Sequence, residues 1–161
     1  MTHSGICADL FRHAADGPDR PAVISVDGTL SYAALAARVR AYSTALTDAG
    51  LGPGDVVAIA IPDGADAVAA MLAALDAGTA FAWLDPEQPA RRHRAIAADC
   101  APRGLLTGTP IALDMEVLVG DTGALVMVGG DAVRFVQPVS GTGVERGQHR
   151  GDRAHRAVGF A

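Results

Sequence analysis

Near the end of the sequence, residues 139–147 read VSGTGVERG. Ser140 and Thr142 offer hydroxyls. Gly141, Gly143 and Gly147 let the backbone approach a ligand closely and take positive φ. Arg146 adds a permanent positive charge. Together these residue types suit a nest of backbone N–H groups and hydroxyls around the phosphates of a nucleotide. Glu145 opposes that use, because a negative charge beside a polyanion is unfavourable unless it points away or meets a metal. The plainer reading is a Gly- and Arg-rich stretch that holds no ligand. The other phosphate-loop pattern, G-x-x-x-x-G-K-[ST], is excluded, since all 13 basic residues are Arg and the chain has no Lys.

Other polar groups carry less. HRGDRAH, residues 149–155, mixes two His with one carboxylate on a basic stretch, which reads as solvated surface rather than a metal site. Asp85 in LDP reads as a turn residue after a strand, Trp83 as core, and ARRHR at 90–94 as the wet face of a helix. Neither G-x-S-x-G nor a G-x-G-x-x-G after a strand occurs. Cys7 and Cys100 have no C-x-x-C spacing and read as free thiols of a reducing compartment. No catalytic residue and no metal ligand is assigned.

Composition narrows the class further. The 161 residues suit one domain with a real core, and half of them are hydrophobic. A net charge of -5 and only 4% aromatic residues argue against nucleic-acid binding. The N-terminus lacks the apolar run of a signal peptide, and the most apolar window is too short to span a bilayer. A cytoplasmic protein without membrane attachment is expected.

The elements that position these residues are legible from periodicity. CADLFRHAAD places Leu10, Phe11 and Ala14 on one face of a short helix. AVISV and TLSY read as extended segments about a DG turn. A long helix follows, with Leu35, Val39, Tyr42 and Leu46 on one stripe, Ser31 as N-cap and Gly50 as its stop. GDVVAIAIP is apolar throughout, as in a parallel strand covered on both faces. ADAVAAMLAALDAG reads as a helix, AFAWLD as a strand, ARRHRAIAADC as a helix with Pro89 at its start, and GLLTG as a strand. This alternation predicts an α/β fold with a largely parallel sheet flanked by helices. From Met115 the short β-rich runs MEVLVG, ALVMVGG and AVRFVQPV suggest a meander.

In this order and spacing, the segments resemble the N-terminal part of the adenylation domains of nonribosomal peptide synthetases, members of the AMP-forming acyl and aryl ligase superfamily. Residues 10–62 follow the family's opening. LSYAAL matches its first core motif, L-[TS]-Y-x-E-L. LDAGTAFAWLDPEQPARR matches its second, an Ala-Gly pair before a strand ending in Asp-Pro, with GPGD between the two. The resemblance covers nearly the whole chain and implies residues 1–161 to be an N-terminal segment of such a domain. It implies ATP-dependent activation of an amino or other carboxylic acid to an acyl-adenylate, with pyrophosphate released and Mg as the companion of ATP.

The departures qualify this. Ala34 replaces the Glu of the first motif, a capping-box position, which weakens a helix and touches no chemistry. The family's phosphate loop, [ST]-S-G-[ST]-T-G-x-P-K-G, aligns with residues 139–147. Ser140, Gly141, Thr142, Gly143, Arg146 and Gly147 are thus the implied ATP-binding residues, and AHRAVGF is the start of the following helix. One hydroxyl residue is missing after Thr142, Glu145 replaces Pro, and Arg146 replaces Lys. The acid pocket and the lid with its lysine lie downstream in the family and are not in these residues. Activity impaired or absent in this chain alone is therefore expected, and whether it is an enzyme by itself is left open. The competing expectations are a non-catalytic interaction module or half of a split synthetase, which would pair with the remainder or with another assembly-line protein, or with its own copy, and the product of a decayed gene.

Overall fold

A computed structural model describes residues 5–26, 28–108, 124–129 and 132–136. The elements run α1 (Ile6–Asp16), β1 (Pro21–Ser25), β2 (Gly28–Ser31), α2 (Tyr32–Asp48), β3 (Val56–Ala60), α3 (Ala65–Asp76), β4 (Ala80–Trp83), α4 (Ala90–Cys100), β5 (Gly104–Thr107), β6 (Ala124–Gly129) and β7 (Ala132–Val136).

Local chemistry sets the helix ends. The Ser31 hydroxyl accepts the Ala34 N–H at 3.3 Å and so caps α2, as its position suggests. At the other end Gly50 takes φ +75, a left-handed conformation that favours glycine. Its N–H reaches the Thr47 carbonyl at 2.9 Å, and the Leu51 N–H reaches the Leu46 carbonyl at 3.0 Å. This is a Schellman closure, which satisfies carbonyls that the helix leaves over. Gly78 repeats it after α3, with φ +77 and the Thr79 N–H on the Ala74 carbonyl at 2.9 Å.

The main sheet has the order β4-β3-β5-β6-β7. β4, β3, β5 and β6 are parallel neighbours, and β7 returns antiparallel to β6. β1 and β2 form a separate antiparallel hairpin. From β3 the chain moves to one side, to β4, and then crosses back over β3 to β5. Right-handed crossovers in opposite directions put α3 and α4 on opposite faces of the sheet. The side chains agree. Val57, Ile59 and Leu106 pack with α2 and α3, whereas Ala58, Ala60 and Leu105 pack with Ala97 of α4. β3 is thus covered on both faces, which explains its unbroken apolar run.

The predicted α2 stripe is the heart of the core: Leu35 is 4% exposed, and Val39, Tyr42 and Leu46 are fully buried. Two expectations need correction. The meander expected of the β-rich runs is met only in the antiparallel β6–β7 step, because β6 lies parallel beside β5 in the main sheet. The run MEVLVG lies outside the described residues. In ARRHR, Arg91, Arg92 and Arg94 are exposed, but His93 is buried. Cys7 and Cys100 are free thiols. Burial pushes both thiols above their ordinary range, helped by Asp76 for Cys7 and by Asp99 for Cys100. No helix among the described residues is long and apolar enough to cross a membrane.

Candidate functional site

In an open parallel sheet a ligand crevice forms beyond the carboxyl ends of the strands, where neighbouring connections leave in opposite directions. Here that point lies between β3, whose connection leads to β4, and β5, whose connection leads to β6. A cavity of ≈ 500 Å³ opens there, between Pro62 and Asp63 after β3, Gly108 after β5, Arg38 of α2 and Thr29 of the hairpin. A second cavity of ≈ 380 Å³ adjoins it through the same Pro62 and Asp63 and reaches Trp83, Asp85 and Glu87 beyond β4. The two make one groove across the ends of three strands. Trp83 packs partly against the core, as expected, and also forms a wall of this groove.

The groove has a polar wall built between helices. The Asp66 carboxylate, in the first turn of α3, accepts from Arg38 Nη1 and from the Tyr42 hydroxyl, both at 3.0 Å. The helix N-terminus favours the negative charge of Asp66. Deeper between α2 and α3, the Ser43 hydroxyl donates to Asp76 at 2.7 Å. At the far end Asp85 accepts the Glu87 N–H at 2.9 Å and the Gln88 amide at 3.2 Å, the turn role its sequence context suggests. The Glu87 N–H first, then the Gln88 amide, hold the Asp85 carboxyl below the usual carboxylate range.

His93 closes this turn from below. It is 2% exposed, and its Nε2 donates to the Asp85 carbonyl at 2.7 Å. That bond fixes the tautomer and leaves Nδ1 buried without a partner among the described residues. A signal for it was present: His93, Ala97 and Cys100 recur at helical spacing, on the side of α4 away from the exposed arginines. Replacing His93 with Ala leaves the Asp85 carbonyl without its imidazole donor and should destabilise the chain by about 1–3 kcal/mol. Arg92→Ala, on the exposed side, should change stability by less than ~0.5 kcal/mol. Denaturant titration of both variants checks the contrast, and equal effects would contradict the assigned role.

The groove does not suit a triphosphate. Asp63, Asp85 and Glu87 line it, and its described cation, Arg38, already faces Asp66. Phosphates placed there would meet carboxylates in a partly dehydrated space. Among the described residues no group of three or more His, Cys, Asp or Glu could hold a metal ion. The residues expected to bind ATP, namely Ser140, Gly141, Thr142, Gly143, Arg146 and Gly147, lie outside the described residues. β7 ends four residues before Ser140, with Val136 opposite Leu125 at the edge where β5 and β6 begin, whereas the groove lies at the other edge.

Comparison with known proteins supplies what the described geometry lacks. The family model described as AMP-binding enzyme matches residues 10–152, a span that includes 140–147. Phenyloxazoline synthase MbtB of Mycobacterium sp. (strain MCS) is 48% identical over 87 residues, 54% of this chain and 8% of that protein. A dimodular nonribosomal peptide synthase of Bacillus subtilis (strain 168) is 34% identical over 112 residues, 70% of this chain and 5% of that protein. In three dimensions the chain aligns with the crystal structure of IdnL1 at a TM-score of 0.71 and 27% identity, covering 92% of this chain and 29% of that one. The chain therefore spans less than a tenth of these two relatives and under a third of IdnL1. With the motifs, the strand order and a match over most of its length in agreement, the chain belongs to the AMP-binding enzyme family.

Proposed function

We propose that residues 1–161 are the N-terminal portion of an acid-adenylating enzyme of nonribosomal peptide synthesis, with a phosphate loop and the start of the following helix at 140–161. The complete activity is ATP-dependent conversion of an amino or other carboxylic acid to its acyl-adenylate with release of pyrophosphate. Mg-ATP, when bound, supplies the adenylyl group and the pyrophosphate leaving group. In this division of labour the described residues supply a scaffold, and Ser140, Gly141, Thr142, Gly143, Arg146 and Gly147 supply hydroxyls, backbone N–H groups and one positive charge for the phosphates. The assembly-line relatives support a partner of that class, and the free thiols support a cytoplasmic setting.

The observation that carries this reading is the family match running through the loop, joined to a groove whose carboxylates disfavour the same ligand. Adenylation needs the carboxylate and the α-phosphate held in line with charge stabilised around both. The loop departs from the family pattern at Glu145 and Arg146, and weak binding of ATP is expected of it. Glu145 is one cause of weakness. A unit charge at about 4 Å in water is worth ~1 kcal/mol, so Glu145→Gln should tighten ATP binding about fivefold. Titration of the full chain with Mg-ATP measures this. Unchanged affinity would mean that Glu145 points away from the nucleotide or that the loop does not hold it.

A further inference from the structure

We propose that Asp63–Gly64, between β3 and α3, is a site of spontaneous main-chain isomerisation, where aspartate becomes isoaspartate through a cyclic imide. Asp16, Asp27 and Asp63 each precede a Gly, and the chain has no Asn. Gly lacks Cβ, so its N–H is the least hindered nucleophile for a preceding carboxyl. In the reaction Gly64 N attacks Asp63 Cγ. A C–N bond forms, the Cγ–OH bond breaks, and one water leaves. Water then opens the ring. Attack at Cγ restores aspartate. Attack at the main-chain carbonyl carbon leaves Gly64 joined to Cγ, which is isoaspartate. The water lost is regained, so the reaction needs no oxidant, cofactor or nucleotide.

Asp27 lies outside the described residues. The structure separates the other two pairs although their exposure is alike: Asp16 and Asp63 are exposed, and Gly17 and Gly64 are half-buried. Asp16 is the last residue of α1, whereas Asp63 belongs to no helix or strand. The Gly17 N–H donates to the His13 carbonyl at 3.0 Å as it closes α1. The Asp16 carboxylate faces Arg12 Nη1 at 3.7 Å. An atom at the Cβ position of Gly17 would stand 2.6 Å from Arg20 Cδ. At the second pair none of these restraints is present among the described residues. Neither the Asp63 carboxylate nor the Gly64 N–H has a hydrogen bond or ion pair there. Nothing lies within 4 Å of the Cβ position of Gly64. The consequence falls on the groove. Asp63 is shared by its two halves, so isomerisation moves one groove carboxylate and adds a carbon to the main chain just ahead of α3.

The full chain is aged at near-neutral pH in heavy-oxygen water, folded and in concentrated urea. Fragment masses locate the label that each ring opening leaves. In the folded chain Asp63 is expected to take up label about fivefold faster than Asp16 or more, the factor that breaking one net hydrogen bond is worth. In urea the two rates should converge, because the restraints on Asp16 go with the fold. Asp63→Glu, which would need a larger ring, should lose the label at that position and keep the rate at Asp16. Equal rates in the folded chain, faster label at Asp16, or no label at Asp63 while the unfolded chain takes it up would each overturn the proposal. So would a preference for Asp63 that persists in urea, which would assign it to the neighbouring sequence. Label that survives Asp63→Glu would overturn it too, since it would not come from the imide. None of these readings involves ATP, so they stand apart from the test of the phosphate loop.

Discussion

Replacing Leu46 with Ala is expected to destabilise the chain by about 2–5 kcal/mol, visible as a lower denaturant midpoint at an unchanged slope. Leu46 is fully buried, and its carbonyl also receives the Leu51 N–H that closes α2. Truncation removes the transfer energy of three carbons and leaves a cavity, because Val39, Tyr42 and the sheet residues around it are held by their own packing. The backbone closure survives, since Ala keeps its carbonyl. The effect therefore reports the packing of the α2 stripe in the core it shares with α3 and the sheet. A loss below about 1 kcal/mol would mean that the stripe does not face this sheet.

Asp66→Ala is expected to destabilise by about 2–3 kcal/mol. One carboxylate oxygen is the shared acceptor of Arg38 and Tyr42, and it joins α2 to the first turn of α3. Tyr42 is fully buried and the Arg38 side chain is 20% exposed, so neither loses this acceptor at the low cost of a surface pair. Tyr42→Phe should then cost less in the Asp66→Ala background than in the unaltered chain, because its contact with Asp66 is already gone. A double-mutant cycle reads this coupling directly. Additive losses would show that the two contacts act independently.

Much of this fold was legible in the residues. The spacing of Leu35, Val39, Tyr42 and Leu46, with Ser31 before it and Gly50 after it, marked α2 because periodicity, cap and stop agree there. VVAIA announced a strand buried on both sides because no polar residue interrupts it. The place of β6 was not legible, since a short β-rich run states no neighbour and no direction. His93 was hidden by the arginines beside it, although its helical partners Ala97 and Cys100 marked the inward side. The groove was invisible for another reason: Thr29, Arg38, Pro62 and Gly108 are far apart in sequence, and only the strand order brings them together. The loop at 140–147 was legible as a set of residue types, and the family match spans it without placing it.

The most direct test is a thermal melt of the full chain with and without Mg-ATP, alongside Ser140→Ala/Thr142→Ala and Asp63→Ala. A ligand at its dissociation constant stabilises the folded state by ~0.4 kcal/mol, which for a chain of this size moves the midpoint by about 1–2 °C. One cooperative transition is predicted to move up by that amount in the unaltered chain and in Asp63→Ala, and to stay fixed in the double variant. A shift that survives the double variant and grows in Asp63→Ala, where a repelling carboxylate is gone, would place the nucleotide in the groove. No shift in the unaltered chain would contradict the phosphate loop itself.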